Sequence, residues 1–391
     1  MEMLDKSNEI KEWIVTLRRD FHMYPEPSFE EVRTSGIVEE KLKEMDIEVK
    51  RIGKTGIIGI LKGYKPGKVV GLRADMDALS VYEETGLSFA SKNEGFMHAC
   101  GHDSHISMLL GAAKILSSMR DKLSGTVKFI FQPAEEAAGG AKAMVAGGVL
   151  DNPKLDMIYG IHIASAVEVG KVIAQEGQFM ASGDEWKLVI TGKSCHGSSP
   201  WEGHDVIVCT SAIINGFQTL VSRVNDARNP IVINIGTANG GERRNVVPGE
   251  MTLTGMNRTF TEYSREMMPK WMGKVIKSTC EAYDCTYEFE YKLGFEITVN
   301  DDKATEFVKK SVGKIVGENN VLGAEKGMGS EDFSEYLKLV PGMIMMLGTR
   351  NEAKNCIFPQ HSNHYLIDED SLPIGTACYA QVAMDYLAEE K

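Results

Sequence analysis

The sequence predicts an α/β protein with a mostly parallel sheet, into which a ferredoxin-like α+β domain is inserted. Two patterns predict it. Through the first half, short apolar runs of strand length alternate with amphipathic runs of helical period, the signature of a parallel sheet built from βαβ units. Between residues 184 and 294 the order becomes β-α-β-β-α-β, complete in itself. The alternation then resumes. The expected division is therefore a discontinuous domain, residues 1–183 and 295–391, around an insert of residues 184–294.

Taken in order, residues 8–23 read as an amphipathic helix through Ile10, Trp13, Ile14, Leu17 and Phe21, with His22 at its end as a surface or capping residue. A Pro25-Glu26-Pro27 break separates it from a second helix over residues 29–45. Strands are expected at 47–52, 56–61 and 69–73, the last running into Asp75 and Asp77. A helix follows the polar stretch 97–105, carried by Ile106, Leu109, Leu110, Ala113 and Leu116. Strands at 126–131 and 157–161 end in Gln132-Pro133-Ala134-Glu135-Glu136 and in His162. The insert reads as strand 186–191, helix 205–224, strands 231–235 and 251–256, helix 262–282 and strand 286–291. A helix over 302–316, a strand at 343–347 and a helix from about residue 370 complete the chain.

Bulk properties narrow the function. A net charge of −12 argues against nucleic-acid or anionic-membrane partners, which need clustered Lys and Arg. No run approaches the roughly 18 consecutive apolar residues of a membrane span, and residues 1–6 lack a secretory pattern. The seven cysteines are scattered without Cys-x-x-Cys pairs, which fits a reducing cytoplasm.

Residues 97–105 (Met-His-Ala-Cys-Gly-His-Asp-Ser-His) hold three of the nine histidines beside Cys100 and Asp103. Imidazole and thiolate are the ligands of zinc and its neighbours, although a lone His–Cys pair is more often a helix start with a core cysteine. Other segments bring candidates to the same rim. Asp75 and Asp77 stand at the carboxyl end of a buried strand, where open α/β sheets place their ligand sites, or in a solvated turn. Glu135 and Glu136 share a turn in which one can bind metal while the other takes a proton, or both are solvated. His162 and His361 arrive from two further segments.

Jointly the motifs 72–79 (Leu-Arg-Ala-Asp-Met-Asp-Ala-Leu), 98–103 (His-Ala-Cys-Gly-His-Asp), 132–136, 329–333 (Gly-Ser-Glu-Asp-Phe) and His361-Ser362 resemble the co-catalytic metallohydrolases of the aminoacylase and carboxypeptidase family. The nearest branch is that of hippurate hydrolases, indole-acetyl-amino-acid hydrolases and N-acetyl-diaminopimelate deacetylases. The resemblance implies a metallohydrolase catalytic domain and a lid or dimerisation insert. It implies two divalent ions, zinc, manganese, cobalt or nickel, held by Cys100, His102, Glu136, His162 and His361. It gives Glu135 as general base, Asp77 as the carboxylate orienting a ligand histidine, and His196 as an oxyanion donor. Asn245 and Arg258 match substrate-gripping positions, and a guanidinium suits a substrate carboxylate; without the motif Arg258 reads as a surface charge. His98 and His105 take supporting roles, and Cys195 is a small filler. Departures from the branch are Ser80 in place of a proline and Trp201 after Pro200, and contact of Asp75 with metal is left open.

The expected function is a cytoplasmic, homodimeric or tetrameric amidohydrolase of N-acyl amino acids or small dipeptides. Two alternatives stand beside it. One is a thiol hydrolase with Cys100 as nucleophile and His102 or His98 as base; the other is a non-catalytic binding protein on the same fold.

Overall fold

The structure is a computed structural model that describes residues 2–389. The chain divides into two compact units, one of residues 1–177, 299–325 and 332–391, the other of residues 178–298 and 326–331. The insert predicted at 184–294 lies inside the second, which adds a few residues at each end and a short returning segment.

The larger unit is built on an eight-stranded sheet. Its order is Glu48–Ile52, Gly56–Lys62, Ser124–Gln132, Lys65–Asp75, Met157–Glu168, Gly342–Arg350, Val172–Ile173 and Val321–Leu322. The four middle strands, from Ser124–Gln132 to Gly342–Arg350, are mutually parallel. The first two strands are antiparallel to each other, and the second, Gly56–Lys62, is antiparallel to its neighbour Ser124–Gln132 in the parallel block. Three residues join them, too few for the crossover that parallel strands require. Helices His102–Ser118 and Ser371–Ala388 pack on each other and on the central strand Lys65–Asp75. Helix His102–Ser118 is buried almost all round, with only Lys114 and its last turn reaching solvent. Beyond its polar first turn the helix is mostly apolar, because it lies between sheet and helices.

In the smaller unit the strands Gly183–Thr191, Ile231–Gly240, Glu250–Thr259 and Thr286–Phe295 form an antiparallel sheet. The fourth lies beside the first, the first beside the third and the third beside the second. With helices Val206–Thr219 and Glu262–Ala282 this is the ferredoxin-like arrangement. Alternate strand residues Trp186, Leu188 and Ile190 meet Cys209, Ile213, Phe217, Met268, Met272 and Ile276 in a core of its own. The run Val206–Val224 is the one helical stretch among the described residues long and apolar enough to cross a membrane. Thr210, Asn215, Gln218 and Arg223 interrupt it, and its buried residues belong to that core.

Candidate active site

Parallel strands place their carboxyl ends at one rim, and in this sheet Asp75 stands opposite Gln132 while Arg73 stands opposite Gly160, two residues before His162. The stretch 97–105 reaches the same rim. Its histidines were expected on a loop ahead of the helix, but the helix already begins at His102. Gly101, in the left-handed region at φ 86°, turns the chain sharply between Cys100 and His102. The returning segment is tied to this turn by the His361 amide, which donates to the Ala99 carbonyl at 2.8 Å.

Five ligand-type side chains meet there. Atoms of Cys100, His102 and Glu136 all lie within 4.8 Å of one another. Cys100 Sγ is 3.5 Å from His162 Nε2, and His361 Nε2 is 3.5 Å from Glu136 Oε1. Hydrogen bonding fixes which nitrogens are free. His102 donates from Nδ1 to the Asp77 carbonyl at 2.9 Å and His162 from Nδ1 to the Ile163 carbonyl at 2.7 Å. Each ring therefore turns an Nε2 lone pair inward, as ligand histidines do when their other nitrogen is held by a carbonyl. His102 Nε2 and Glu136 Oε1 are buried, 4.0 Å apart, and neither has a hydrogen-bond partner among the described residues. Two buried polar atoms facing each other without a hydrogen-bond partner are costly. A cation between them removes that cost. Electrostatics points the same way: burial pushes the Glu136 pKa up, so its carboxylate lacks compensation. Burial opposes a charge at His102, yet Asp75, with Cys100 and Asp77, outweighs it, so the Nε2 edge of this ring favours a bound cation, proton or metal. The position therefore attracts positive charge. His162, depressed to about 3 by burial and the neighbouring His105, is a neutral donor.

The tandem glutamates are fixed by two buried carboxylates. Asp77 accepts from the Glu135 amide at 3.0 Å through Oδ1 and from the Glu136 amide at 3.1 Å through Oδ2. The same Oδ2 accepts the Ser28 hydroxyl at 2.7 Å, and Oδ1 lies 3.4 Å from His102 Nδ1. Asp77 thus orients both the turn and the histidine. Glu31, which sequence reasoning left inside an ordinary helix, accepts the Ala134 amide at 2.8 Å. Its only trace in the sequence is position: a glutamate shortly after a Pro-rich break, indistinguishable there from a solvated charge.

Asp75 and His105 adjoin the cluster: Asp75 Oδ2 lies 3.7 Å from His102 Nε2, and Asp75, His102, His105 and His162 form a second group of ligand-type side chains whose atoms lie within 4.8 Å of one another. Asp75 receives Arg73 on one oxygen at 2.7 Å and His105 Nδ1 on the other at 2.5 Å. His105 Nε2 accepts the Ile163 amide at 3.0 Å, so both of its nitrogens are used. Arg73 also reaches Asp332 at 3.0 Å, within the 329–333 motif. His22 is not at the surface: it is buried between Asp103 at 2.7 Å and Glu83 at 3.2 Å. His98 is buried, its pKa lowered to about 4 by that burial, and it lies outside the donor cluster.

The smaller unit holds the other three candidates. Val246 pairs with His196, and the Gly197 amide donates to the Asn245 carbonyl at 2.8 Å, so His196 and Asn245 lie side by side. His196 Nδ1 accepts from the Ser198 amide at 3.1 Å, which leaves the proton on Nε2 of an exposed ring. Arg258, on strand Glu250–Thr259, is no surface charge. It is half-buried, its pKa lowered by that burial, and its Nη1 contacts the Ser330 hydroxyl. Trp201 is 78% exposed on the loop after His196.

The thiol-hydrolase reading finds no support in this geometry. Burial pushes the Cys100 thiol well above the ordinary cysteine range, whereas a nucleophilic cysteine needs a depressed pKa.

Comparison with known proteins gives the family. The model of the family described as peptidase family M20/M25/M40 matches residues 71–385. Thermostable carboxypeptidase 1 of Saccharolobus solfataricus is 40% identical, covering 97% of this chain and 96% of its own length. The N-acyl-L-amino acid amidohydrolase of Geobacillus stearothermophilus is 41% identical, over 76% of this chain and 80% of its own. A crystal structure of a dinuclear metal-binding peptidase of the M20 family from Bacillus subtilis superposes with a TM-score of 0.82 at 33% identity, covering 97% of this chain and 99% of that one. On its donor cluster, its fold and a family match that runs through both, the chain belongs to peptidase family M20/M25/M40 and is a metal-dependent hydrolase of amide bonds.

Proposed function

We propose that this protein hydrolyses N-acyl amino acids, or small dipeptides, to a carboxylate and a free amino acid. Cys100, His102, Glu136, His162 and His361 would hold two divalent ions of the zinc, manganese, cobalt or nickel group. When bound, such ions polarise the scissile carbonyl and lower the pKa of a water molecule towards neutrality. The observation that carries the reading is the pair of buried, unpartnered polar atoms, His102 Nε2 and Glu136 Oε1, that face each other among further ligand atoms.

Glu135 is the general base: its carboxylate takes a proton from the attacking water and delivers it to the leaving nitrogen. Asp77 holds Glu135 by its amide and His102 by its ring, so base and ligand share one anchor. His196, with its proton on Nε2, offers a donor for the oxyanion of the tetrahedral intermediate. Asn245 and Arg258 grip the substrate, the guanidinium taking the amino-acid carboxylate. Asp75, held by Arg73 and His105 and 3.7 Å from His102 Nε2, adds a negative charge that favours a cation at this rim. The insert serves as lid and as the homodimer contact, with Ile231–Gly240 as an outer strand of its sheet; sedimentation at a single-copy mass would refute the dimer.

The test is a panel of N-acetyl and N-benzoyl amino acids assayed with added metals. Chelation abolishes turnover and metal restores it. Glu135→Ala retains metal and loses roughly 100- to 10,000-fold in kcat, the range of a general base. Full-rate turnover by metal-loaded Glu135→Ala sinks the mechanism.

A further inference from the structure

Backbone strain among the described residues is concentrated at this site. Eight non-glycine residues have positive φ, and four of them (Asp46, Asn152, Asp284 and Asn355) are of the Asp/Asn type that tolerates it. The other four are Phe29 (64°), Ala134 (52°), Ala138 (53°) and His361 (67°). His361 is a candidate ligand, and Ala134 and Ala138 flank the tandem glutamates. Phe29 lies far away in sequence, and an aromatic side chain has no intrinsic reason to be there. One carboxylate links it to the others. Glu31 Oε1 accepts the Phe29 amide at 3.0 Å and the Ala134 amide at 2.8 Å, while Oε2 accepts the Thr55 hydroxyl at 2.7 Å. Glu31 itself is fully buried.

Three successive amides, those of Ala134, Glu135 and Glu136, therefore each end on a buried carboxylate: the first on Glu31, the next two on Asp77. The two acids approach closely enough for the Asp77 charge to raise the Glu31 pKa, although burial is the larger cause. Bringing two carboxylates together in the interior is unfavourable unless the donors they meet compensate. The turn supplies those donors and is held rigid in return.

We propose that Glu31 is a positioning residue for catalysis, fixing the strained Ala134 backbone and through it the direction in which Glu135 presents its carboxylate. The inference rests on the reading of Glu135 as the base. Ser28, which donates to Asp77 Oδ2, ties the same short segment to the other anchor. Segment 28–31 is thus a brace beneath the turn, and the strain at Phe29 follows from docking it there.

The role requires an acceptor at position 31 and not a charge. Glu31→Gln keeps an oxygen for the two amides and offers its amide nitrogen to Thr55, whose hydroxyl can accept as well as donate. Glu31→Ala leaves the Ala134 amide without its partner. In the metal-loaded enzyme, Glu31→Ala is expected to lower kcat roughly 10- to 100-fold, the scale of a misplacement of about 1 Å. KM and metal content stay near wild type. Hydrogen–deuterium exchange of residues 134–136 in the metal-free protein becomes faster, and Glu31→Gln matches wild type in both readouts. If Glu31→Ala does not fold, Thr55→Val is read in its place, with the same signs and a smaller size. Unchanged exchange at 134–136 in Glu31→Ala, or a folded Glu31→Gln as impaired as Glu31→Ala, overturns the inference. The exchange arm does not depend on turnover. A failure of Glu135 as base would instead appear as an active Glu135→Ala.

Discussion

At Gly101 one backbone angle decides whether two ligand side chains can share a centre. With φ at 86°, the residue turns Cys100 and His102 towards the same point, and a Cβ built there would lie 2.2 Å from Ile163 Cδ1. Gly101→Ala therefore meets two separate penalties. The left-handed backbone costs about 1–2 kcal/mol, and the overlap adds roughly 1–3 kcal/mol. Denaturant unfolding should show a loss of about 2–5 kcal/mol, and metal titration a weaker affinity. Ile163→Val removes the offending methyl, so in the double variant the overlap part should return and the backbone part should not. A variant as stable as wild type with full affinity would show that the turn tolerates a side chain. The contrast with Glu31 shows what was legible. Cys100, His102, Glu136, His162 and His361 stood out because their side chains are metal-ligand types and they fall in motifs or at strand ends that resemble a known family. Glu31 acts through backbone amides, and a glutamate in a helical run carries no mark of that. His22 was misread for the same reason: the sequence shows a helix end, not the buried Asp103 and Glu83 that meet it.

Elements were legible where periodicity was long. Helices Glu262–Ala282 and Asp302–Val316 have the predicted bounds, each with a capping side chain, Thr261 and Asp301. Short elements without a period, such as helix Gly140–Ala146 and strand Val172–Ile173, were missed. The strand Ser124–Gln132, expected at 126–131, is buried from Val127 to Gln132, although Lys128 stands in its middle. Lys128 is fully buried, and its Nζ donates to the carbonyls of Val149 at 2.9 Å and Asp151 at 2.6 Å. Burial lowers its pKa from 10.5 to about 8. Between those two values the unfolded chain binds a proton that the folded chain releases, so this residue makes stability rise with pH across that window. Below about 8 both states are protonated and its contribution is flat. Thermal unfolding of wild type and Lys128→Met at pH about 7.5 and about 10 tests the sign: wild type should gain relative to the variant at the higher pH. A difference between the two proteins that does not change with pH would refute the assignment.

At the scale of the whole molecule, ligand atoms and the insert's internal ion pairs occupy different units, so metal binding and insert stability should be separable. All five candidate ligands belong to the larger unit. In the smaller one, Asp184 is buried at the head of strand Gly183–Thr191 and meets Arg265 from helix Glu262–Ala282 at 2.8 Å. It also accepts the Gly294 amide at 3.0 Å and the Tyr291 hydroxyl at 3.3 Å, while Arg265 pairs further with Glu296. This network joins the first strand, the second helix and the last strand of the ferredoxin-like unit, and removing one partner leaves a buried guanidinium underpaired. Asp184→Ala should cost about 3–5 kcal/mol, read as faster hydrogen exchange in residues 262–295 with the amides of residues 98–136 unmoved. Added zinc or manganese should do the converse. At a hundredfold excess over its dissociation constant a ligand stabilises what it binds by about 2.7 kcal/mol, and the slowing should fall on residues 98–136 and 342–361. If metal protects residues 262–295 as strongly as the ligand loops, or if Asp184→Ala loosens both sets equally, the two units share one unfolding event and the separation fails. Whichever result is found, it also bears on the insert as a lid, because an element that moves during turnover must be able to hold its own core while the metal-binding rim stays fixed.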